Sequence, residues 1–370
     1  MTINNRIEGI IRLTTPLHCA NPDQSVWSDK SNDNRTPTMQ MRLVTPEGML
    51  VIPYFPGNDL RGRLRRKAAA LVLDHVTLQK KVSVELYGGL SCGAISASPE
   101  SDVTVDEVLR ARENVYMGLF GGGTRLLRSR YRVSDMVPVL ASTIAAGMVP
   151  QQYGENDHGF FIPTYRTESG PKAVEGWQLL QMTQNLRIDD VGSAARPDEL
   201  LSYIDDLGSV VKHQTDTLDA QMKRKADKAA VKAGAMKATE VVGKTGVRNI
   251  FSYQTIMAGT PMYFDLDFTD DVSDAHVGFM LLALQSLVRE QALGGWGRAG
   301  RGRYTADLSL IRGGEKISVF NAKGAGAGAT LSDGVNVFVQ EAKTKLAGLT
   351  ADEMMLFFAT RDKAVAAEVA

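Results

Sequence analysis

The stretch "TPMYFDLDFTDDVSDAHVGFMLLALQSLVRE", residues 260–290, decides the fold because a clear strand is followed at once by a clear helix. The apolar residues of 262–268 alternate with more polar ones, which is the period of a strand. From Asp274, the expected cap, apolar residues recur at helical spacing until Gly294 ends the helix. The next stretch, "RYTADLSLI" at 303–311, predicts another strand. This half of the core is therefore strand, helix, strand.

The first half of the chain repeats this alternation of strands with a helix. Apolar residues of 6–14 share one face, which predicts a strand buried on one side. In "PYFPGNDLRGRLRRKAAALVL", residues 53–73, Asn58 is expected to cap a helix with a leucine and alanine stripe. "RYRVSDMVPV", 130–139, predicts the second strand. The order strand, helix, strand, strand, helix, strand indicates an α+β, ferredoxin-like (RRM-like) βαββαβ core, or palm, with large helical and thumb-like insertions.

The remaining segments are expected to be insertions and a C-terminal extension around this palm. The irregular part between the second and third core strands contains the Lys/Ala-rich run "KRKADKAAVKAGAMK", which is typical of a solvated helix. The predicted organisation is as follows: first half of the palm, 1–140, with an exposed loop at 19–38 and a helical insertion at 80–118; insertion or thumb region, 141–245; second half of the palm, 246–312; C-terminal extension, 313–370.

Composition excludes several classes of function. The 42 basic and 42 acidic residues cancel, so attraction to nucleic acid must come from local clusters of charge. Cys19 and Cys92 are the only cysteines, too few for a disulfide framework or a cysteine zinc site. No apolar run is long enough for a membrane span. We expect a cytoplasmic protein without a membrane partner.

Three familiar motifs occur in the wrong structural context. Gly295, Gly297 and Gly300 match G-x-G-x-x-G, but a helix precedes them and a strand follows, the reverse of a dinucleotide site. "ATEVVGKTG" lacks the first glycine of a phosphate-binding loop, and "GLSCG" around Ser91 precedes a turn-like segment where a hydrolase needs a helix. The five histidines show no zinc spacing. No cofactor, metal or catalytic residue is predicted.

A phosphate site is predicted at the start of the first core helix. Arg61 and Arg65 lie four residues apart and therefore share one face of that helix, close to Asn58. Free amides at a helix N-terminus attract anions. We therefore expect this helix start to bind phosphate.

Three separated motifs resemble the RAMP superfamily, the RNA-binding proteins of CRISPR systems. "IPYFPGNDLRGRLR", residues 52–65, resembles the proline-glycine turn and basic helix start of that superfamily. "LFGGG", 119–123, followed by "RYRVSDMVPV", resembles the glycine turn and second core strand of its backbone subunits. "LGGWGRAGRGRY", 293–304, resembles its C-terminal glycine-rich loop. The likeness covers about residues 6 to 312 and is greatest to the guide-RNA (crRNA)-binding backbone subunits of type III and type IV effector complexes.

The resemblance implies a hand-shaped protein with a ferredoxin-like palm and with its thumb in 141–245. Copies would stack head to tail along the crRNA guide, with other effector-complex subunits and target nucleic acid paired to the guide. Aromatic residues of the expected thumb, Phe160, Phe161 and Tyr165, are candidates either for stacking at a kink of the RNA or for a hydrophobic core of the thumb. Contacts to the phosphate backbone, blind to base sequence, are expected from a candidate set of RNA-binding residues: Asn58, Arg61, Arg65, Gly294, Gly295, Arg298 and Arg301.

One departure from the type III pattern bears on catalysis. Type III backbone subunits resemble one another in an aspartate that cuts target RNA, after the first strand and before a short hydrophobic-proline segment. The corresponding stretch here, "SNDNRTPTMQ", has Asn34 and Arg35 nearest that position, with Asp33 beside them. This departure favours a non-cleaving, type IV-like scaffold that works with other components such as a helicase.

Two alternatives stay open at this stage. A RAMP-type endoribonuclease would cut target RNA with Asp33 or Asp29, or would process the guide with His18 as general acid or base. An unrelated structural protein with an RRM-like core is the other alternative.

Overall fold

The structure is a computed structural model, and it describes residues 5–21, 35–46, 48–78, 80–93, 104–123, 127–154, 162–187, 207–233, 249–269, 271–321, 324 and 326–358. The chain divides into two compact units. The first consists of Met1–Gln24, Pro37–Gln181 and Gln254–Ala370, and the second of Ser25–Thr36 and Met182–Tyr253.

Strands and helices are numbered here in chain order. The strands are β1 (Asn5–Leu13), β2 (Arg35–Thr36), β3 (Gln40–Thr45), β4 (Gly48–Pro53), β5 (Tyr131–Val133), β6 (Val137–Pro138), β7 (Thr164–Thr167), β8 (Gly170–Ala173), β9 (Leu180–Arg187), β10 (Asn249–Ile256), β11 (Pro261–Phe268), β12 (Tyr304–Arg312) and β13 (Glu315–Ser318). The α-helices are α1 (Gly57–Val76), α2 (Val84–Cys92), α3 (Val105–Glu113), α4 (Met117–Phe120), α5 (Ala141–Ala145), α6 (Leu207–Lys232), α7 (Asp274–Glu290), α8 (Asn336–Ala347) and α9 (Ala351–Leu356).

The central sheet of the first unit has the strand order β13-β12-β1-β11-β5, and β6 also pairs with β11. Every pairing in this sheet is antiparallel. The first core strand, β1, lies between the last, β12, and the third, β11, while the second, β5 with β6, is at the edge. This is the ferredoxin-like order, so the α+β prediction is confirmed.

One face of this sheet packs on α1 and α7, because the apolar residues of each strand alternate toward them. Phe264, Leu266 and Leu308 are fully or almost fully buried, and so are Leu60 and Leu64 of α1. The Tyr304 hydroxyl donates to the Leu287 carbonyl at 3.0 Å and so joins β12 to α7. Gly9 makes the strand pairing possible, because a Cβ there would lie 2.1 Å from the Asp307 carbonyl oxygen.

The second core strand is interrupted, whereas the sequence predicted one strand over 130–139. Between β5 and β6, Met136 forms a bridge with Phe55, and the Asp135 carboxylate accepts a hydrogen bond from the Gly57 amide at 2.7 Å. The interruption therefore allows Asp135 to satisfy a free amide at the start of α1. The prediction that Asn58 caps this helix is wrong, since Pro56 is the N-cap residue and Asn58 lies inside the first turn.

The other helix boundaries also differ in detail from the sequence prediction. Ser273, not Asp274, is the N-cap residue of α7, and Asp274 instead accepts from Arg312 at 2.7 Å. The helix ends at Glu290, before Gly294, because Gln291 adopts a left-handed conformation with φ of 48°. The C-terminal extension contains α8 and α9, and the Thr350 side chain caps α9 by accepting from the Glu353 amide.

The second unit contains α6 and most of a sheet in the order β2-β10-β9, in which β2 runs parallel to β10. The Lys/Ala-rich run is helical as far as Lys232, and Lys223, Lys225 and Lys228 are exposed. This agrees with the prediction of a solvated helix. Within the described residues, none of the helices combines the length and the apolar character that crossing a membrane would require.

Replacing Asp135 with Ala should lower the free energy of unfolding by about 1 kcal/mol, because the Gly57 amide loses its partner at the start of α1. Asp135→Asn, which keeps an acceptor oxygen, should lose less. Urea unfolding followed by circular dichroism measures both. Equal stability of Asp135→Ala and the parent protein would contradict the capping role.

Candidate nucleic-acid interface

Helix α1 connects the three sequence motifs through two of its arginines. Arg63 donates from Nη1 to the Ala292 carbonyl and from Nη2 to the Gly294 carbonyl, both at 2.7 Å, and so holds the glycine-rich loop. Arg65 donates to the carbonyls of Phe120 and Gly121, in the "LFGGG" turn. Positions two apart on a helix point about 200° apart, so Arg63 and Arg65 reach opposite sides of α1. The motif at 52–65 thus positions both the glycine-rich loop and the "LFGGG" turn.

The glycine loop, residues 291–303, uses its glycines for its own close packing. A Cβ on Gly294 would lie 2.1 Å from the His18 carbonyl oxygen, and one on Gly302 would lie 1.9 Å from that of Leu293. The amides of Gly295 and Gly302 already donate to the carbonyls of His18 and Pro16 at 2.8 and 2.9 Å. These two amides are therefore not free to bind phosphate, although the sequence suggested that role for the loop's main chain.

The side chains of the glycine loop offer the positive charge. Arg298 and Arg303 are exposed and Arg301 is half-buried. Within the described ranges, none of these three guanidinium groups forms an ion pair. Trp296 precedes the short 3-10 helix Gly297–Ala299 in a left-handed conformation, and it is 42% exposed. The loop thus presents arginines and an indole ring from a tightly packed base.

A second basic surface lies beside Arg61 and Arg65 and is called here the arginine cleft. It is a cleft of about 870 Å³, and the described residues that line it include six arginines: Arg61, Arg65, Arg112, Arg128, Arg130 and Arg132. They come from α1, α3 and the segment around β5. Among the described lining residues Asp271 is the acidic one, and it already pairs with Arg130 at 3.3 Å. The described part of the lining therefore carries more positive than negative charge.

The arginines of this cleft divide into structural and exposed groups. Arg65 and Arg130 are bound to protein carbonyls, since Arg130 donates to the carbonyls of Gly118, Arg112 and Asp271. Arg61 is exposed, with one 3.3 Å hydrogen bond to the Ser129 hydroxyl and its guanidinium 5.9 Å from the centre of the Tyr131 ring. The exposed group also contains Arg112 and Arg128, while Arg132 is exposed on the other face of the sheet, beside Asp267. Only this group can meet a ligand without dismantling the fold.

A buried histidine supports the floor of the cleft. His276, 3% exposed, lies with Nε2 3.0 Å from Arg130 Nη2, and its Nδ1 is 2.6 Å from the Ser273 hydroxyl. Nε2 also lies 3.3 Å from the Asn114 carbonyl oxygen, but arginine only donates, so the shorter Arg130 contact favours an Nε2 that accepts and a ring proton on Nδ1. Burial and then the Arg130 charge lower the pKa of His276 from 6.5 to about 4. The ring is therefore neutral at physiological pH.

Two acidic side chains already lie at the start of α1, where the sequence predicts a phosphate site. The Asp135 carboxylate already accepts a hydrogen bond from the Gly57 amide. Asp59 lies in the first turn of the helix, with its carboxylate 3.5 Å from the Cys19 sulfur. Burial and then Asp59 raise the pKa of Cys19 to about 12, so the thiol stays protonated and acts as the donor. Two carboxylates at this end would repel a phosphate.

The sheet face opposite α1 and α7 is acidic, although an RRM binds RNA on that face with aromatic side chains. Glu8 is 5% exposed and accepts from the Tyr153 and Tyr263 hydroxyls at 3.0 and 3.1 Å. Arg6 donates to Asp265 at 2.5 Å and lies 3.5 Å from Asp267. Burial and then the Asp265 charge raise the pKa of Asp267 and of Tyr263. Three carboxylates here face two arginines, Arg6 and Arg132, so these five groups carry more negative than positive charge, which disfavours RNA.

The predicted site residues therefore fall into separate places. Arg61 and Arg65 line the arginine cleft, Gly294, Gly295, Arg298 and Arg301 lie in the glycine loop, and Asn58 is exposed in the first turn of α1. Sequence reasoning missed Arg63 and the arginines at 112, 128, 130 and 132. The repeated arginines of "RSRYR", 128–132, were the available signal for three of them.

Residues named for the alternative functions are only partly described. Asp29, Asp33, Asn34, Phe160 and Phe161 lie outside the described residues, as does the side chain of Arg35. Tyr165 is 40% exposed on β7. His18 is buried, with Nδ1 2.7 Å from the Gln254 carbonyl, and burial lowers its pKa. That burial argues against His18 as a general acid or base for RNA.

Comparisons with known proteins add little to this geometry. The chain matches no protein-family model, and no curated protein matches it. Among solved structures it is similar to a chain of a "Type IV-B CRISPR Complex", with 15% identity and a TM-score of 0.43 over 83% of this chain and 90% of that chain. A likeness this distant assigns neither family nor function.

Replacing Arg63 with Ala should release the glycine loop, since two charge-assisted hydrogen bonds to Ala292 and Gly294 are removed. We expect a loss of roughly 2 kcal/mol in the free energy of unfolding and faster hydrogen exchange at the Gly295 and Gly302 amides. Arg66→Ala, on the exposed side of the same helix, is the matched control and should change neither. Unaltered exchange in Arg63→Ala would show that the loop is held by other contacts.

The His276 pKa predicts a loss of stability in acid. Between pH 6.5 and about 4 the unfolded chain binds a proton at this position that the folded protein excludes, so stability falls as the pH drops through this range. The full effect is roughly 3 kcal/mol. His276→Gln keeps an acceptor for Arg130 without titrating, and should reduce the slope of stability against pH in urea unfolding. An equal slope in both proteins would contradict the assigned neutral ring.

Proposed function

We propose that this chain is a guide-RNA-binding backbone subunit of a multi-subunit CRISPR effector complex, of the RAMP type and nearest to the type IV form. Copies would polymerise head to tail along the crRNA guide and present it for pairing with target nucleic acid, together with other subunits and a helicase. The observation that carries the proposal is the joining of three superfamily-like motifs by α1. Arg63 holds the glycine loop and Arg65 holds the "LFGGG" turn.

The distribution of charge supports binding on the helix side of the palm. The glycine loop and the arginine cleft both offer exposed guanidinium groups, whereas the sheet face carries Glu8, Asp265 and Asp267. Guanidinium groups bind phosphate with charge and paired hydrogen bonds, and such contacts do not depend on the base sequence. A protein that must hold any guide needs this kind of binding.

We further propose that the subunit is a scaffold without nuclease activity. The sequence departs from the type III cutting position at Asn34 and Arg35. The test is to incubate the RNA-loaded protein with complementary RNA and divalent metal, for which we expect no cleavage. Cleavage that disappears in Asp33→Ala would overturn the scaffold proposal in favour of a type III-like endoribonuclease.

The binding proposal is tested by purifying the protein from its host and sequencing the nucleic acid that accompanies it. Guides of repeat and spacer sequence, protected at regular intervals, are expected. A protein that carries no RNA and does not bind added guide would refute the proposal.

Replacing both Arg298 and Arg301 with Ala should weaken guide binding about tenfold and by the same factor for unrelated guide sequences. The slope of log affinity against log salt should become shallower by about 0.7 for each phosphate that the protein no longer neutralises. Fluorescence anisotropy over a salt series measures both quantities. Lys343→Ala, which removes an exposed charge from α8, is the control and should bind like the parent protein. Weaker binding that is confined to some guide sequences would contradict phosphate recognition.

A further inference from the structure

Trp296 is a large aromatic residue that the glycine loop presents at the surface. It is 42% exposed, and its two neighbours in the chain, Gly295 and Gly297, are exposed residues without a side chain. A ligand can therefore approach the indole ring without displacing a side chain of either neighbour. Exposed aromatic rings of this kind are the platforms on which unpaired bases of single-stranded nucleic acid stack.

The backbone of Trp296 adopts a conformation that favours glycine. Its φ is 63°, in the left-handed region that residues with a Cβ adopt at a cost. The main-chain carbonyl accepts from the amides of Ala299 and Arg301 at 2.9 and 3.3 Å, and a glycine at this position would make the same two hydrogen bonds. The turn therefore does not require an indole. A large side chain at a strained backbone position indicates a role for the ring itself.

The arginines of the glycine loop lie close to Trp296 in the chain. Arg298 and Arg303 are exposed and Arg301 is half-buried, and none of the three forms an ion pair with another described residue. The Arg301 amide nitrogen lies 3.3 Å from the Trp296 carbonyl oxygen, so these two side chains start from adjacent points of the main chain. One short loop thus offers a ring for a base and guanidinium groups for the phosphates beside that base.

We propose that Trp296 is a base-stacking residue: its indole holds one unpaired base of single-stranded RNA, while Arg298 and Arg301 hold the adjacent phosphates. The inference rests on the proposed function, which supplies the RNA, and it adds a base contact to the phosphate contacts of the loop. Stacking tolerates every base, because each base has a π face, so the contact stays independent of the guide sequence. A duplex offers no such base, since its bases stack on one another.

The fluorescence of Trp296 reports the contact directly. The tryptophans of the chain are Trp27, Trp177 and Trp296, so Trp27→Phe with Trp177→Phe leaves one tryptophan in the full chain, which is then freed of nucleic acid. Short single strands of uridine or of adenosine nucleotides should both quench its fluorescence as they bind. Inorganic polyphosphate, which carries charge but no base, should displace labelled RNA in an anisotropy assay without quenching the tryptophan.

Substitutions at position 296 separate stacking from packing. Trp296→Leu keeps a large apolar side chain but has no π face, and it should weaken RNA binding about tenfold, whereas Trp296→Phe should retain most of the affinity. The slope of log affinity against log salt should be the same in Trp296→Leu and in the parent protein, because no phosphate contact is removed. Trp177→Leu is the matched control, since Trp177 is 59% exposed outside the glycine loop, and it should bind RNA like the parent protein.

The outcomes separate this inference from the proposed function. RNA binding without quenching, with Trp296→Leu binding like the parent protein, overturns the stacking and leaves guide binding standing. Equal quenching by polyphosphate also overturns the stacking, since the fluorescence then changes without a base. Quenching by short single strands, in a protein that carries no repeat and spacer guides from its host, supports the stacking and refutes the guide role. A protein that binds no RNA at all refutes both.

Discussion

Two arginines on α1 hold two loops in place by donating hydrogen bonds to main-chain carbonyls of those loops. Carbonyls at the end of a helix have no partner within the helix, so they need a donor from another segment. Arg63 satisfies two carbonyls of the glycine loop, and Arg65 satisfies two in the turn after α4. A guanidinium has five donors in a fixed plane, so one side chain can hold two carbonyls of a turn. Because the two arginines lie on opposite sides of the helix, α1 fixes a loop on each side and leaves Arg61 for solvent or ligand.

Charge is separated across the palm although the chain as a whole is neutral. The 42 acidic residues that balance the 42 basic ones include Glu8, Asp265 and Asp267, which are gathered on one face of the sheet. Arg61, Arg112 and Arg128 of the cleft and the arginines of the glycine loop come from segments outside that face, whereas Arg132 is the cross-strand partner of Asp267. The net charge of the chain therefore does not indicate whether it binds a polyanion. The local arrangement of acidic and basic side chains indicates which surface a polyanion would approach.

The sequence predicted what depends on local periodicity and missed what depends on distant contacts. Alternation in 262–268 and helical spacing after Asp274 are local patterns, and together they led to the correct core order. The break in the second strand could not be foreseen, because it depends on Asp135 reaching Gly57, 78 residues away. The arginine cleft could not be predicted for the same reason. Its arginines belong to three segments of the chain, and only the packing of the folded protein brings them together. Sequence spacing also could not tell the structural Arg65 from the exposed Arg61.

The glycine loop is shaped by the close packing of its own glycines. Its glycines suggested a path by which RNA would reach main-chain amides, but Gly294 and Gly302 are needed because their Cα atoms lie against other carbonyls. The amides of Gly295 and Gly302 are used within the protein. What remains for a polyanion is the set of guanidinium groups of Arg298, Arg301 and Arg303, carried on long side chains above a rigid base. Long arginine side chains can follow a phosphate backbone whose path varies, whereas main-chain amides held in the fold cannot. This difference suits a nucleic-acid ligand of arbitrary sequence.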